Sequence, residues 1–286
     1  MAKKKPAVVL NRGEARNQKI AIVVVALLCI PIVALYFTFF RLAFLDPDTG
    51  ALTLGNFQFL YTTMDKKLTT IDPIGPAMRN TILFTVLVTA CEVLISCMAG
   101  YALSRLRFTG QGFIQNMLLI LRMFPNLLLL IGVLYVLMTL KLSNSLAGVI
   151  LVAIAFRIPG STFIIKNHFD GVPRDIESSC LVDGCTRFSA FRQVIIYLVK
   201  PGLASISIFS FLSAWSNYIL FNTLIFNSKT PVIATYMKAL SRPEQMIVDY
   251  NTFAAMAIVY MLPVIVFFVI SQKTLMEGNV AGGKGV

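Results

Sequence analysis

The stretch IAIVVVALLCIPIVALYFTFF, residues 20–40, is the most continuously apolar part of the 286-residue sequence. It contains no charged residue, and at about 1.5 Å of rise per residue roughly 20 apolar residues cross the hydrocarbon core of a bilayer as a helix. The run is longer than the roughly 7–15 apolar residues of a secretory signal peptide, and no small-x-small cleavage site follows it. We therefore expect a retained transmembrane helix.

Five further apolar runs lie outward from this one and are long enough to cross a membrane. They are residues 80–102, 113–138, 146–166, 201–225 and 252–271. The strands of membrane β-barrels alternate apolar and polar residues, whereas these runs are continuously apolar. The predicted fold class is therefore an all-α integral membrane protein with six transmembrane helices.

The composition excludes several classes of protein. The chain is 57% hydrophobic and 13% charged, about half the charged fraction of an ordinary soluble domain. A chain with so few charges cannot cover a globule of this size with polar surface, which argues against a water-soluble enzyme, a nucleic-acid-binding domain and a disordered chain. The net charge of +12 is better explained by Lys and Arg retained on the cytoplasmic side of a membrane.

The basic residues also predict the topology. The segment before the first span carries basic residues at positions 3, 4, 5, 12, 16 and 19, which places it in the cytoplasm by the positive-inside rule. Six spans then return the C-terminus to the cytoplasm, in a multi-pass protein of the cell membrane. The predicted division is a basic tail at 1–19, a transmembrane domain at 20–271 and a C-terminal tail at 272–286, with a long external loop at 227–251.

The predicted cytoplasmic segment at 167–200 is far longer than a tight helix-to-helix turn requires. Pro173 suits a first helical position, Gly184 suits a left-handed helix end, and a second helical segment begins near Thr186 and continues into the fifth span. This pattern fits a docking knob for a soluble partner. It fits equally well an amphipathic helix lying on lipid headgroups.

The same segment resembles a known family motif. IESSCLVDGCTRF, residues 176–188, is similar to the EAA loop of ATP-binding-cassette (ABC) importer permeases. Asn80-Thr81, GYALSRLRFTG (100–110), FSFLSAWSNY (209–218) and the tail at 278–285 resemble further motifs of that family in the expected order. The chain is identified as resembling the carbohydrate-uptake branch, in particular the shorter permease subunit of the maltose importer.

This resemblance implies a type I importer permease that moves a sugar or oligosaccharide by alternating access. The implied partners are an ATPase dimer that binds ATP and Mg, a second permease subunit forming a heterodimer, and an extracytoplasmic substrate-binding protein; no cofactor on this chain and no nucleic-acid partner is implied. The motif's Glu falls on Ser178, with Glu177 one residue early. The positions implied for coupling to the ATPase are Glu177, Ser178, Ser179, Asp183, Gly184 and Arg187.

Three charged residues lie in the interior of the predicted spans, at Glu92, Arg122 and Arg157, whereas Lys166 is the terminal residue of the fourth span. A charge in the hydrocarbon core costs about 2.5–3.5 kcal/mol on insertion scales, so each should face the bundle interior. We predict that Glu92 pairs with Arg157 or Arg122. The pair would act either as a structural link that sets helix register or directly in substrate binding or gating.

A second set of polar and aromatic residues in the spans fits a carbohydrate path or ordinary helix packing. It consists of Asn126, Tyr135, Trp215, Asn217 and Tyr218. The sequence has a single His and no CxxC pair, so neither catalysis nor a metal site is expected. A permease for a polyol, glycerol-phosphate or amino acid, a membrane-embedded enzyme and a channel subunit remain alternatives.

Overall fold

The computed structural model describes residues 12–47, 49–66, 69–226, 230–240 and 249–282. Its helices, in chain order, are α1 (Arg12–Phe44), α2 (Gly75–Arg105), α3 (Gln111–Met123), α4 (Asn126–Thr139), α5 (Leu146–Asp170), α6 (Arg174–Val182), α7 (Arg187–Ala190), α8 (Ile196–Leu198), α9 (Lys200–Trp215), α10 (Tyr218–Leu224), α11 (Ile233–Leu240) and α12 (Tyr250–Gly282). Within these ranges α1, α2, α5 and α12 are long and apolar enough to cross a bilayer, and two bent pairs would raise the number to six. The predicted all-α membrane fold is confirmed.

Two long helices extend beyond the tails that the sequence predicts. α1 already begins at Arg12, and α12 continues to Gly282, so parts of the tails predicted at 1–19 and 272–286 are helical. The reason is that apolar length marks where a helix crosses lipid, while backbone hydrogen bonds can continue the helix into water. The remaining residues of both tails lie outside the described ranges.

The third predicted span, 113–138, is not one straight helix. α3 ends at Met123, α4 begins at Asn126, and the two axes differ by 104°. Phe124 is extended, with ψ 132°, because a proline ring disfavours the helical region for the residue before it. Pro125 also lacks the N–H that a helix interior requires. The break places Arg122 in the last turn of α3 and Asn126 at the start of α4.

The fifth predicted span, 201–225, is likewise interrupted. A π-helical segment, Phe191–Ile195, joins α7 to α8, and the α7–α8 stretch meets α9 at an angle of 75° around Val199. α9 then ends at Trp215, well before the end of the predicted span at residue 225. The amide oxygen of Asn217 accepts a hydrogen bond of 3.3 Å from the backbone N–H of Leu220 and so starts α10 as an N-cap.

The segment between α1 and α2 contains short elements that the all-α prediction omits. A 3₁₀ helix covers Gly55–Leu60, and β1 (Met64–Lys66) pairs antiparallel with β2 (Thr69–Ile71). The Asn56 side chain donates hydrogen bonds to the carbonyls of Ala43 and Leu45, at 3.0 and 2.8 Å. These bonds fix the segment against the end of α1.

α2 is the central helix and packs most extensively against α5 and α9. Gly100 permits the close approach of α5, because a Cβ at Gly100 would lie 2.6 Å from a methyl carbon of Ile165. Gly202 on α9 lies directly against the ring of His168 on α5. Small residues at helix crossings are the usual means of tight packing in membranes. By contrast, the apolar window of α1 buries none of its residues within this chain.

Candidate functional site

The knob comprises α6, the turn at Gly184, and α7. Pro173 stands just before α6 as its N-cap residue, one position earlier than the first helical position that the sequence predicts. Gly184 has φ +87°, which confirms the predicted left-handed helix end. The backbone N–H groups of Cys185 and Gly184 donate to the carbonyls of Cys180 and Leu181, at 3.0 and 3.1 Å. This paired hydrogen bonding is the Schellman arrangement.

The outer surface of the knob is open to its surroundings in this chain. Of the residues implied for coupling, Ser178, Ser179, Asp183, Gly184 and Arg187 are all exposed. Two large apolar side chains accompany them, Val182 at 87% exposure and Phe188 at 69%. A mixed surface of apolar, acidic and basic groups on a short, capped helix pair is a suitable docking surface for a folded partner.

Glu177, which the resemblance also implies for coupling, does not lie on this outer surface. Its side chain is buried, its Oε1 accepts a hydrogen bond of 2.7 Å from the Tyr101 hydroxyl, and its Oε2 lies 3.7 Å from Nε of Arg105. The physical reason is helical periodicity: a shift of one residue from Ser178 rotates the side chain by about 100°. Glu177 therefore points at α2, while Ser178 points away from it.

Arg105 completes a group that we call the α2–α6 anchor, formed by Tyr101, Arg105 and Glu177. Nη2 of Arg105 donates to the backbone carbonyls of Phe169 and Val172, both at 2.6 Å. Neither Tyr101 nor Arg105 is among the site residues predicted from the sequence, although both occur in the quoted GYALSRLRFTG motif. The anchor joins the end of α2, the end of α5 and the start of the knob.

The predicted intramembrane ion pair is confirmed. Glu92 has no exposed surface, and its Oε2 lies 2.5 Å from Nε of Arg157. The hydroxyl of Ser161 donates to Oε1, and that of Ser210 donates to Oε2 at 2.6 Å. Arg157 also donates through Nη2 to the carbonyl of Phe209, at 3.0 Å. The group links α2, α5 and α9.

Arg122 does not join this group. It is exposed in the last turn of α3 and has no ion pair or hydrogen bond to any residue in the described part of the chain. The expectation that it faces the bundle interior is wrong, because the break at Phe124 and Pro125 turns α3 away from α4. Ser161 was also not predicted as a partner of the ion pair, although Ser161 lies four residues after Arg157 and therefore on the same helix face.

A cavity of about 470 Å³ lies beside the ion pair, where the break between α9 and α10 opens the bundle. Three of the five predicted path residues line it: Asn126, Asn217 and Tyr218. Its other polar lining residues are Arg157, Ser213 and Ser216, and Phe156 contributes an aromatic ring. The cavity therefore combines amide, hydroxyl, guanidinium and aromatic groups.

The other two predicted path residues lie away from this cavity. Trp215 is 3% exposed, donates from its indole N–H to the carbonyl of Tyr260 at 3.1 Å, and stacks on Phe211. Tyr135 is 70% exposed on α4 and does not line the cavity. Trp215 is therefore a packing residue between α9 and α12, and the break after it explains the difference from the expectation.

The loop at 227–251 contains α11, which docks at the end of α2 opposite the knob. Asn80 donates to the carbonyl of Pro231 at 2.9 Å, and the N–H of Ile233 donates to the Thr81 hydroxyl at 2.9 Å. The Tyr236 hydroxyl donates to the carbonyl of Asp72 at 2.6 Å. Burial, and then the nearby Asp72 carboxylate, raise the pKa of Tyr236 to about 12. Residues 227–229 and 241–248 of this loop lie outside the described ranges.

Comparisons with known proteins find relatives among the permease subunits of transport systems. The sulfoquinovosyl glycerol transport system permease protein SmoH of Agrobacterium fabrum is 30% identical over 212 residues, 74% of this chain and 73% of the relative. The maltodextrin transport system permease protein MdxG of Bacillus subtilis is 31% identical over 205 residues, 71% of this chain and 73% of the relative. These relatives are permease subunits of transport systems.

A solved structure shares the fold. A chain of a bacterial ABC transporter involved in the import of the acidic polysaccharide alginate superposes with a TM-score of 0.74 at 17% identity, covering 93% of this chain and 99% of that chain. The family model for the binding-protein-dependent transport system inner membrane component matches residues 92–276, which include the ion pair, the anchor, the knob and the cavity. The chain belongs to this family of membrane-embedded ABC transport subunits.

Proposed function

We propose that this chain is the permease subunit of an ATP-driven importer that moves a sugar or oligosaccharide into the cytoplasm. A binding protein outside the membrane would deliver the cargo, a second permease subunit would complete the path, and a separate ATPase dimer would bind ATP and Mg. The named sugar-transport relatives support the cargo class. The uncharged amide and hydroxyl groups around the cavity support it independently.

The observation that carries the proposal is an exposed knob fixed to the central helix. The knob presents Ser178, Ser179, Asp183 and Arg187 outward, and the α2–α6 anchor ties its base to α2. A push on the knob by an ATPase is therefore transmitted to α2 and not absorbed by a loose loop. This is the kind of rigid connection that biases a bundle between two access states.

The proposal also assigns sides of the membrane. The knob and both chain ends would face the cytoplasm, and α11 would face the binding protein. α11 docks at the end of α2 opposite the knob, which supports placing the two surfaces on opposite sides. α11 would then be positioned to contact the binding protein when cargo is delivered.

The experiment is purification of the tagged chain from its native membrane, followed by reconstitution of the copurified complex in proteoliposomes. We expect an ATPase and a second permease to copurify, and labelled neutral sugars to accumulate only when ATP and the binding protein are supplied. Flux without ATP would instead indicate a channel subunit. Accumulation of a polyol, phosphate ester or amino acid with no sugar uptake would overturn the cargo class.

A further inference from the structure

The geometry points to a cargo subsite on this chain itself, in the cavity between α4, α5 and the α9–α10 break. We assign Arg157 and Asn126 as cargo-binding residues for an uncharged, hydroxyl-rich ligand, and Glu92 as the positioning residue that holds Arg157 in place. The inference deepens the proposed function and rests on it. It makes this subunit a direct participant in cargo selection.

The first support is a set of polar atoms with unused hydrogen-bonding capacity. In the described part of the chain, no hydrogen bond involves the Asn126 amide, the Ser213 hydroxyl or Nη1 of Arg157, and all three residues line the cavity. By contrast, the Ser216 hydroxyl is already bonded to the carbonyl of Leu212. Asn126 and Ser213 are exposed on the cavity wall, so a ligand that enters the cavity can reach these donors and acceptors.

The second support is the balance of charge. Among the described residues, Arg157 is the one charged residue that lines the cavity, and its charge is compensated by Glu92 directly behind it. Glu92 is itself fully enclosed by Arg157, Ser161 and Ser210, so cargo would meet a guanidinium edge and not a carboxylate. A cavity that offers the guanidinium N–H donors but no net charge favours binding of sugar hydroxyls. A sugar carboxylate would require a cation whose charge is not already compensated.

The third support is the fixed orientation of Arg157. Glu92 holds Nε and the carbonyl of Phe209 holds Nη2, which leaves the Nη1 edge available. Phe156 and Tyr218 line the same cavity and offer apolar faces for the ring of a sugar. Because Glu92 lies on α2, the helix that carries the anchor to the knob, movement of the knob would reach Arg157 through the same rigid element.

The experiment uses the complete reconstituted transporter with its binding protein. Labelled maltose, trehalose and raffinose are first tested on the wild type, and the sugar that accumulates best becomes the probe. Asn126→Ala and Ser213→Ala are each expected to raise KM for the probe by about two- to tenfold, the effect of losing one neutral hydrogen bond. The double variant Glu92→Gln/Arg157→Gln avoids an unpaired buried charge and should raise KM by about tenfold or more. Tyr135→Phe, which removes an exposed hydroxyl away from the cavity, is the control and should leave KM unchanged.

A second measurement tests the positioning role of Glu92 separately from stability. Glu92→Gln leaves the Arg157 cation uncompensated, so a disaccharide in which one glucose is replaced by glucuronic acid should become a better competitor relative to its neutral counterpart. A merely structural pair would lower the amount of assembled transporter without changing this preference.

If ATP-driven sugar uptake persists with KM and charge preference unchanged in these variants, the subsite is overturned while the importer function stands. If the wild type accumulates none of the three sugars but takes up a polyol, phosphate ester or amino acid with ATP, the proposed cargo class fails first.

Discussion

Tyr101 and Glu177, 76 positions apart in the chain, share a hydrogen bond of 2.7 Å that attaches the knob to the central helix. The bond lies beside Arg105, which binds the carbonyls of Phe169 and Val172 at the end of α5. Three separate segments therefore meet at one buried polar group. Such a group transmits displacement well because each of its members has its position fixed by more than one contact.

Removing the hydroxyl alone should loosen this attachment. Tyr101→Phe keeps the aromatic packing against Phe169 and Phe191 but removes the hydrogen bond, at a cost of about 1 kcal/mol. We expect ATP hydrolysis to continue while sugar transported per ATP falls. The measurement is the ratio of uptake to hydrolysis in proteoliposomes. Tyr61→Phe is the matched control, because Tyr61 is an exposed tyrosine in the segment between α1 and α2. Equal ratios of uptake to hydrolysis in the two variants would contradict the role of the anchor.

The turn at Gly184 should tolerate only residues that adopt a left-handed backbone. A Cβ there meets nothing within 4 Å, so the effect of substitution is conformational and not steric. Gly184→Val should strain the turn by about 1–2 kcal/mol or more and abolish uptake with normal amounts of protein in the membrane. Gly184→Asn should retain most uptake, because Asn enters the left-handed region more readily. Full activity of the valine variant would show that the turn is dispensable for coupling.

Breaking the buried ion pair on one side should be more harmful than removing it entirely. Glu92→Ala leaves the Arg157 cation without its partner inside the bundle, at a cost of about 3–5 kcal/mol. We expect a lower thermal unfolding midpoint and less extractable protein. Both are measured on the detergent-solubilised chain, the amount of intact protein by size-exclusion chromatography. Glu92→Gln/Arg157→Gln should recover most of the loss. A double variant as unstable as Glu92→Ala would indicate that packing volume, and not charge, matters at this position.

The proposed orientation can be tested with two exposed side chains. Val182 lies on the knob and Leu54 lies in the segment between α1 and α2, at 87% and 70% exposure. In a cysteine-free background, a membrane-impermeant maleimide added to intact cells should label Leu54→Cys and not Val182→Cys. The pattern should reverse in inside-out vesicles. Labelling of Val182→Cys in intact cells would invert the topology and remove the basis for ATPase docking.

Docking of α11 should weaken at alkaline pH. Tyr236 is neutral in the folded chain, and its pKa is raised from 10.0 to about 12. Its contribution to stability is therefore complete below about pH 10 and is lost as the pH rises towards 12. The protection factors of residues 233–240, which are exchange rates corrected for the intrinsic rate at each pH, should fall over this window, and Tyr236→Phe should remove that fall. An identical pH profile in both proteins would assign the loosening to another group.

Much of the fold could be predicted because membrane spans leave a strong pattern in the sequence. The apolar length of α1, α2, α5 and α12 is dictated by the bilayer, and the partnership of Glu92 with Arg157 follows from the cost of a lone charge in lipid. The left-handed turn at Gly184 was also predictable, because a glycine that follows a short amphipathic helix commonly ends that helix in the left-handed conformation.

The features that were not predicted depend on local helix breaks and on tertiary contacts, neither of which hydropathy reports. The run 113–138 is apolar enough for a single span, so hydropathy alone could not show that the chain turns by 104° at Phe124 and Pro125. Glu177 and Ser178 are neighbours in sequence, and only the packing of α6 on α2 decides which one points inward. In the same way, the break after Trp215 is set by capping at Asn217, which places that amide in the cavity and the indole in the core.

The separation of Glu92 from Arg157 by 65 positions has a consequence for biosynthesis. The segment containing Glu92 leaves the ribosome well before the segment that neutralises it, and released alone into lipid it would bear a penalty of about 2.5–3.5 kcal/mol. We therefore expect the insertion machinery to favour keeping this early segment in a hydrated or proteinaceous setting until its counter-ion has been synthesised. Co-release of the segments that carry Glu92 and Arg157 would avoid this penalty.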